Sequence, residues 1–285
     1  MSRSAPTFNW AKLLPHFLLV PVTLVTLYPV LYVVKMALSG TGGLSASAWP
    51  WPDKLDFSAF SAVLGRQDAA GHWLFGRQFG NSLLVSGLTT VFGIALACTA
   101  AYGFARFEFP GRRMGLLGFL ATQMFPGILT MIPLYVLMRD LGLLDSMAGL
   151  VLVYSTTAIP FCTWTLKGYF DTLPKEIEES AVIDGATRLQ IFWRIILPLS
   201  APAIAVTALF SFMTAWNEFV LAYTFLSQET AYTMPVQIRN YVGDKDVQWS
   251  LFAASSLIVS VPVMALFYAV EKHLVGGLTA GGVKG

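Results

Sequence analysis

The sequence predicts an all-α integral membrane protein with six transmembrane helices, and three observations carry that prediction. First, 55% of the 285 residues are hydrophobic and only 12% are charged, where an ordinary soluble domain has roughly a quarter charged. Second, cutting the chain at every Asp, Glu, Lys and Arg leaves six long apolar runs: residues 13–34, 78–105, 114–138, 146–166, 195–217 and 247–270. Each is long enough to cross a ~30 Å hydrocarbon core as a helix, and none shows the short alternating pattern of a membrane β-barrel. Third, Lys and Arg alternate between segments. Eleven (Arg3, Lys12, Arg106, Arg112, Arg113, Lys167, Lys175, Arg188, Arg194, Lys272 and Lys284) fall on one side and six (Lys54, Arg66, Arg77, Arg139, Arg239 and Lys245) on the other. The positive-inside rule makes the first side, and both termini, cytoplasmic.

The first run follows Arg3 and Lys12, as a signal peptide would. Its apolar core is too long for one, and the small-x-small site Ala46-Ser47-Ala48 lies too far downstream, so it reads as a retained span. Lys35 at its outer end is expected to snorkel to the interface. Residues 36–52 lack charge but are rich in Gly, Ser and Pro, which makes them loop. The external segment of about 39–78 then carries Trp49-Pro50-Trp51-Pro52 and a short amphipathic piece, Phe57–Leu64.

After the second run, residues 106–113 form a brief internal loop with a Pro110-Gly111 turn. In the third run, Gln123-Met124-Phe125-Pro126 marks a kink whose freed carbonyls could face a pathway. Residues 139–145 make a short external turn, and 167–194 the longest internal segment. Asn217 and Glu218 sit toward the outer half of the fifth span. An ionisable group at such depth is a functional candidate; the competing reading is a Glu already hydrogen-bonded inside the bundle or at the interface. The last external loop, about 227–246, is polar. Half of the tail Gly276–Gly285 is glycine, so it is not expected to hold a helix alone. The whole chain reads as one transmembrane domain, residues 1–285.

Catalysis fails on inventory. The sequence has no G-x-x-x-x-G-K-[ST] phosphate loop, no H-E-x-x-H and no G-x-S-x-G, and His16, His72 and His273 lie in three separate segments. Cys98 and Cys162 fall inside spans and read as small apolar residues. No cofactor or metal site is expected, and a net charge of +2 gives no reason for a nucleic-acid partner.

The internal segment of about 170–200 holds the positive signal. Pro174 suits the first turn of a helix, and Glu176, Glu178 and Glu179 follow where the helix dipole favours negative charge. Gly185 permits the left-handed backbone that ends the helix. Thr187 then caps a second helix, which Leu197-Pro198 closes, and Pro202 sits in the first turn of the next span. Ile177, Ala181 and Asp184 share a stripe, while Ala181 and Ala186 leave little bulk at the corner for an approaching surface. A helix lying on lipid is the alternative. Its polar face would ordinarily be basic, whereas the acidic first half here favours a protein groove.

Glu179-Ser180-Ala181, Asp184-Gly185-Ala186 and Ile195-Ile196-Leu197-Pro198 resemble the EAA loop of bacterial ABC importer permeases, with Ser180 standing where the pattern has an alanine. Trp216-Asn217-Glu218-Phe219 and the tail Leu278–Gly285 look like those of MalG-type subunits of maltose and maltodextrin importers. The resemblance implies a type I ABC importer permease fold in the bacterial inner membrane. It implies a second, MalF-like permease, a dimer of separate ATP-binding subunits, and an extracytoplasmic sugar-binding protein. Glu178, Glu179, Ser180, Ala181, Asp184, Gly185, Ala186, Leu197 and Pro198 would then form the coupling helix seated on an ATPase. Gly281, Gly282, Val283 and Lys284 would reach into the ATPase dimer, and the last external loop into the binding protein. In that family the deep sugar site is carried mainly by the partner permease, so Asn217, Glu218 and Gln123 are weaker pathway candidates here.

Overall fold

Four helices are each long and apolar enough to span a membrane: Pro15–Ala37 of α1 (Leu14–Ala37), α3 (Leu74–Arg106), α6 (Met147–Thr172) and Trp249–Glu271 of α13 (Trp249–Gly281). The computed structural model describes residues 14–40, 47–243 and 247–281. The two remaining apolar runs are bent helix pairs, and counting each pair as one span gives six. No strand occurs among the described residues.

The third run is broken rather than kinked. Helices α4 (Arg112–Met124) and α5 (Gly127–Asp140) meet at 99°. Phe125 and Pro126 between them are extended, with ψ of 128° and 118°, because proline's ring disfavours helical backbone at the residue before it. The fifth run turns by 76° between the helical stretch Arg188–Leu199 and α10 (Ala201–Trp216).

One compact unit contains residues 67–237 and 259–281 of the described chain. Its axis is the pair α3 and α6. Gly93, Ala97, Ala101 and Ala105 recur every four residues on α3, and Ala158, Cys162, Leu166 and Phe170 do so on α6. A Cβ added at Gly93 would lie 3.8 Å from that of Ala158, and Ala97, Ala101, Ala105, Cys162, Leu166 and Phe170 share one core cluster. Small residues on one helix let backbones approach where lipid offers no hydrophobic drive for association. Trp216, 1% exposed, ties α10 to α13 by donating Nε1–H to the Val259 carbonyl at 3.2 Å.

At the start of α3 three side chains hold the segment before α12 (Met234–Asn240). Gln78 Nε2 donates to Glu229 O at 2.8 Å, Asn81 Nδ2 to Thr230 O and Tyr232 O at 3.0 and 3.1 Å, and Ser82 Oγ accepts from Met234 N at 2.7 Å.

The other unit contains α1, α2 (Ser58–Leu64) and residues 238–258. Residues 15–31 of α1 are exposed throughout, an apolar surface suited to lipid or to another membrane helix. Lys35 corrects the sequence expectation: it does not snorkel but is 2% exposed, its Nζ donating to Ser47 O and Trp49 O at 2.7 Å each. Two carbonyls of the following loop give the ammonium its acceptors, so the charge need not seek water. Asp56 accepts from the Ser58 amide at 2.7 Å at the start of α2, and this bond, with the Ser58 hydroxyl, holds its carboxyl below the usual range.

The tail also differs from expectation. Helix α13 continues through Gly281: extending an established helix costs only each glycine's ~1 kcal/mol propensity, without a new nucleus. Gly282, Val283 and Lys284 lie outside the described residues.

Candidate functional site

The helix, glycine, helix pattern of residues 174–199 is present. Helix α7 runs Lys175–Ile183 behind Pro174 as its cap residue, with Glu176 and Glu178 in its first turn. Ala186 N donates to Ala181 O at 2.9 Å and Gly185 N to Val182 O at 3.0 Å, the paired bonds of a Schellman ending, with Gly185 at φ +86°. Thr187 caps α8 (Arg188–Ile191) in a reciprocal box: Gln190 N donates to Thr187 Oγ1 at 3.3 Å and Thr187 N to Gln190 Oε1 at 2.8 Å.

Beyond Ile191 the helix widens into a π-turn, Phe192–Ile196, with Leu197 N donating to Phe192 O. Pro198 explains the widening: it supplies no N–H and would clash with the carbonyl four residues back, which a π-turn relieves. Leu197 and Pro198 therefore do not close the helix; it continues as α9 (Leu197–Leu199) to the bend at Ser200.

Glu178, read from sequence as part of the surface presented to an ATPase, faces its own chain instead, and its partners are what the sequence does not reveal. It is 2% exposed; one oxygen pairs with Arg106 Nε and the other accepts from Tyr102 OH at 3.0 Å. Arg106 also donates through Nη2 to Leu173 O at 3.0 Å. The last turn of α3 thereby grips both ends of the α6–α7 junction. A charged acceptor so buried is tolerable because each of its oxygens has a donor. The available signal was Tyr102 and Arg106 at i, i+4, two donors on one face of a span end.

The inward face of α7 differs from the stripe read from sequence. Ala181 and Ala186 pack against the core cluster that includes Tyr102, Phe170 and Ile191, so the small residues bring the corner close to its own body. Ile177, Glu179, Ser180, Asp184 and Gly185 are exposed. The outward corner is apolar: Ile183 is 86% and Leu189 67% exposed, with Val182 beside them. Ser180 introduces no orphan polar group, because its hydroxyl donates to Glu176 O at 2.8 Å.

The pathway candidates separate. Asn217 and Glu218 are not inside a helix: α10 ends at Trp216, Asn217 is its cap, and α11 (Val220–Phe225) begins three residues after that cap. Glu218 accepts from Leu221 N at 2.8 Å, Ala222 N at 3.1 Å and Tyr154 OH at 2.6 Å. Its carboxylate satisfies the first amides of α11, the structural role weighed against a pathway role. Asn217 Nδ2 donates to Met213 O at 2.8 Å. Gln123, exposed in the last turn of α4, donates to Thr157 O at 3.2 Å.

Residues 83–276 match the family of the binding-protein-dependent transport system inner membrane component. The chain is 35% identical to the maltose/maltodextrin transport system permease protein MalG of Salmonella typhimurium over 96% of both chains. It is 37% identical to the galactooligosaccharides transport system permease protein GanQ of Bacillus subtilis, over 96% of this chain and 95% of that one. It is 33% identical to the diacetylchitobiose uptake system permease protein DasC of Streptomyces coelicolor, over 97% and 98%. Among solved structures, a chain of a bacterial ABC transporter involved in the import of the acidic polysaccharide alginate superposes with a TM-score of 0.78 at 25% identity, covering 94% of this chain and 99% of that one.

Proposed function

The chain belongs to the family of binding-protein-dependent transport system inner membrane components, and from that premise we propose that it is a membrane-spanning subunit of an ATP-driven importer for maltose-like and maltodextrin-like oligosaccharides. Its fold is that of type I ABC importer permeases. It works beside a second, MalF-like permease, above a dimer of separate ATP-binding subunits, and receives sugar from an extracytoplasmic binding protein. ATP hydrolysis belongs to the partner; this chain is a lever.

The observation that carries the coupling role is the mounting of α7 and α8. Glu178 is fixed to the end of α3 while Ile183 and Leu189 project outward, so a force on the exposed corner is passed to a span through a buried ion pair rather than absorbed by a loose loop. Rigid-body rocking of the subunits then alternates access to the pathway. Glu179, Ser180, Asp184 and Gly185 would line the contact with the ATPase, Ala181, Ala186, Leu197 and Pro198 would shape it from within, and the tail from Gly281 through Lys284 would reach the ATPase dimer. With that arrangement residues 170–200 and both termini face the cytoplasm.

A second reading of the cargo has support of its own. The relatives named for galactooligosaccharides and diacetylchitobiose are as similar to the chain as the maltose one. One experiment addresses both levels. The tagged chain is purified from membranes and its ATPase activity measured with the binding protein and a panel of α-glucans, galactooligosaccharides and chitobiose derivatives. Co-purification of an ATPase and a second permease, with stimulation by α-glucans, is expected. Stimulation by another sugar alone replaces the cargo, and isolation as a lone homo-oligomer overturns the importer reading.

A further inference from the structure

The loop after α1 folds back along its own helix. Ser47 O and Trp49 O each accept from Lys35 Nζ at 2.7 Å, and Ala48 O accepts from Tyr28 OH at 2.7 Å. Lys35 Nζ also lies 5.5 Å from the ring centroid of Tyr32, which stacks on Tyr28 at 6.4 Å. Tyr28, Tyr32 and Lys35 share one stripe of α1, at i, i+4 and i+7. Residues 47–49 therefore lie beside the ~10 Å of helix between Tyr28 and Lys35, not beyond its end. This segment meets its own polar groups. Trp49 N donates to Ser47 Oγ at 3.2 Å, three successive carbonyls have donors from α1, and Pro50 and Pro52 bring no N–H. Near hydrocarbon, where water is scarce, irregular backbone persists only with its polar groups met in this way. Two large side chains are left outside: Trp49 is 70% and Trp51 53% exposed, and neither indole N–H has an acceptor among the described residues.

We propose that Trp49 and Trp51 anchor the end of α1 in the bilayer, their rings seated at the boundary between acyl chains and headgroups. The chemistry of the exposed groups selects lipid as the occupant. An indole has an apolar body and one N–H that needs a polar partner, and that boundary supplies both. Asp53 and Lys54 follow, both exposed; charges beside aromatic rings suit headgroups and water, whereas the core of a protein interface is depleted of them. The position agrees. The loop stands beside the span, at membrane depth, which sets it apart from a partner in the aqueous phase. It also covers the Tyr28, Tyr32 and Lys35 stripe with the protein's own chain, where a helix of the second permease would otherwise pack. The patch is continuous with residues 15–31 of α1, which are exposed on every side, so a partner helix along one side leaves lipid on the rest.

The test uses the assembled importer in nanodiscs of phosphatidylethanolamine and phosphatidylglycerol, with a nitroxide on Trp49→Cys or Trp51→Cys. Cys98 and Cys162 are buried, and the unsubstituted importer, treated alike, gives the background. Power-saturation spectra should show each label open to oxygen dissolved in lipid and shielded from an aqueous nickel chelate, at headgroup depth. With the label at position 49, Trp51→Ser should shift the balance toward nickel, and Trp51→Phe should hold it where Trp51 does. Labels open to nickel place the loop in water, and labels closed to both reagents place it under the second permease; either result overturns the proposal. So does a balance that Trp51→Ser leaves unmoved.

Discussion

Arg106 and Glu178, 72 residues apart in sequence, form an ion pair whose side chains are 6% and 3% exposed, joining the end of α3 to the first turn of α7. Removing one partner strands a charge in a site built for two. Arg106→Met or Glu178→Gln is expected to destabilise the subunit by about 3–5 kcal/mol, to raise hydrogen exchange across residues 175–191, and to lower transport. The double variant Arg106→Met with Glu178→Met should recover much of the stability, since no lone charge remains, but not the coupling. Thermal unfolding and ATPase-coupled uptake of the four proteins measure the two effects separately.

Gly185 stands at φ +86° with no neighbouring atom of its own chain within 4 Å of an added Cβ. Strain, not crowding, therefore decides what is tolerated there. Gly185→Val should cost about 1–2 kcal/mol in a backbone region that L residues avoid, disturb the corner, and reduce ATPase docking and transport while membrane insertion survives. Gly185→Asn, which enters that region most readily, should keep most of the activity. Normal transport by the valine variant counts against the coupling assignment.

Ile183 and Leu189 make the exposed corner without serving the core. Ile183→Asp or Leu189→Glu should leave the melting temperature within about 1 °C, since surface changes stay within ~0.5 kcal/mol, yet abolish co-purification of the ATPase. A stable subunit that still captures its ATPase would move the contact elsewhere.

Glu218 organises α11 through the amides of Leu221 and Ala222. Glu218→Ala should destabilise by about 1–2 kcal/mol, as loss of a helix cap does, and Glu218→Gln by less. The order of sugars in a competition assay should be unchanged in both; an altered order would restore Glu218 to the pathway.

Deleting residues 276–285 should weaken assembly with the ATPase, read by size-exclusion chromatography, without altering the membrane topology. An unaltered complex would show the tail to be idle.

The sequence alone determined what local rules govern. Apolar runs bounded by charge marked the spans, since a bilayer excludes charge whatever the tertiary arrangement. Pro174, Gly185, Thr187 and Pro202 marked the starts and the corner of residues 174–202, because caps and left-handed turns depend on neighbours in the chain. Tertiary structure decided which way the faces turn. In a membrane both lipid and the protein interior are apolar, so periodicity does not say that Ala181 packs inward while Ile183 projects, nor that Glu178 is buried while Glu179 is exposed. Polar groups inside follow the same logic. Lys35 finds the carbonyls of Ser47 and Trp49, and Glu218 finds Tyr154 and the amides of α11. Each burial is decided by partners at a distance, because a buried charge persists only where the fold brings donors or acceptors to it.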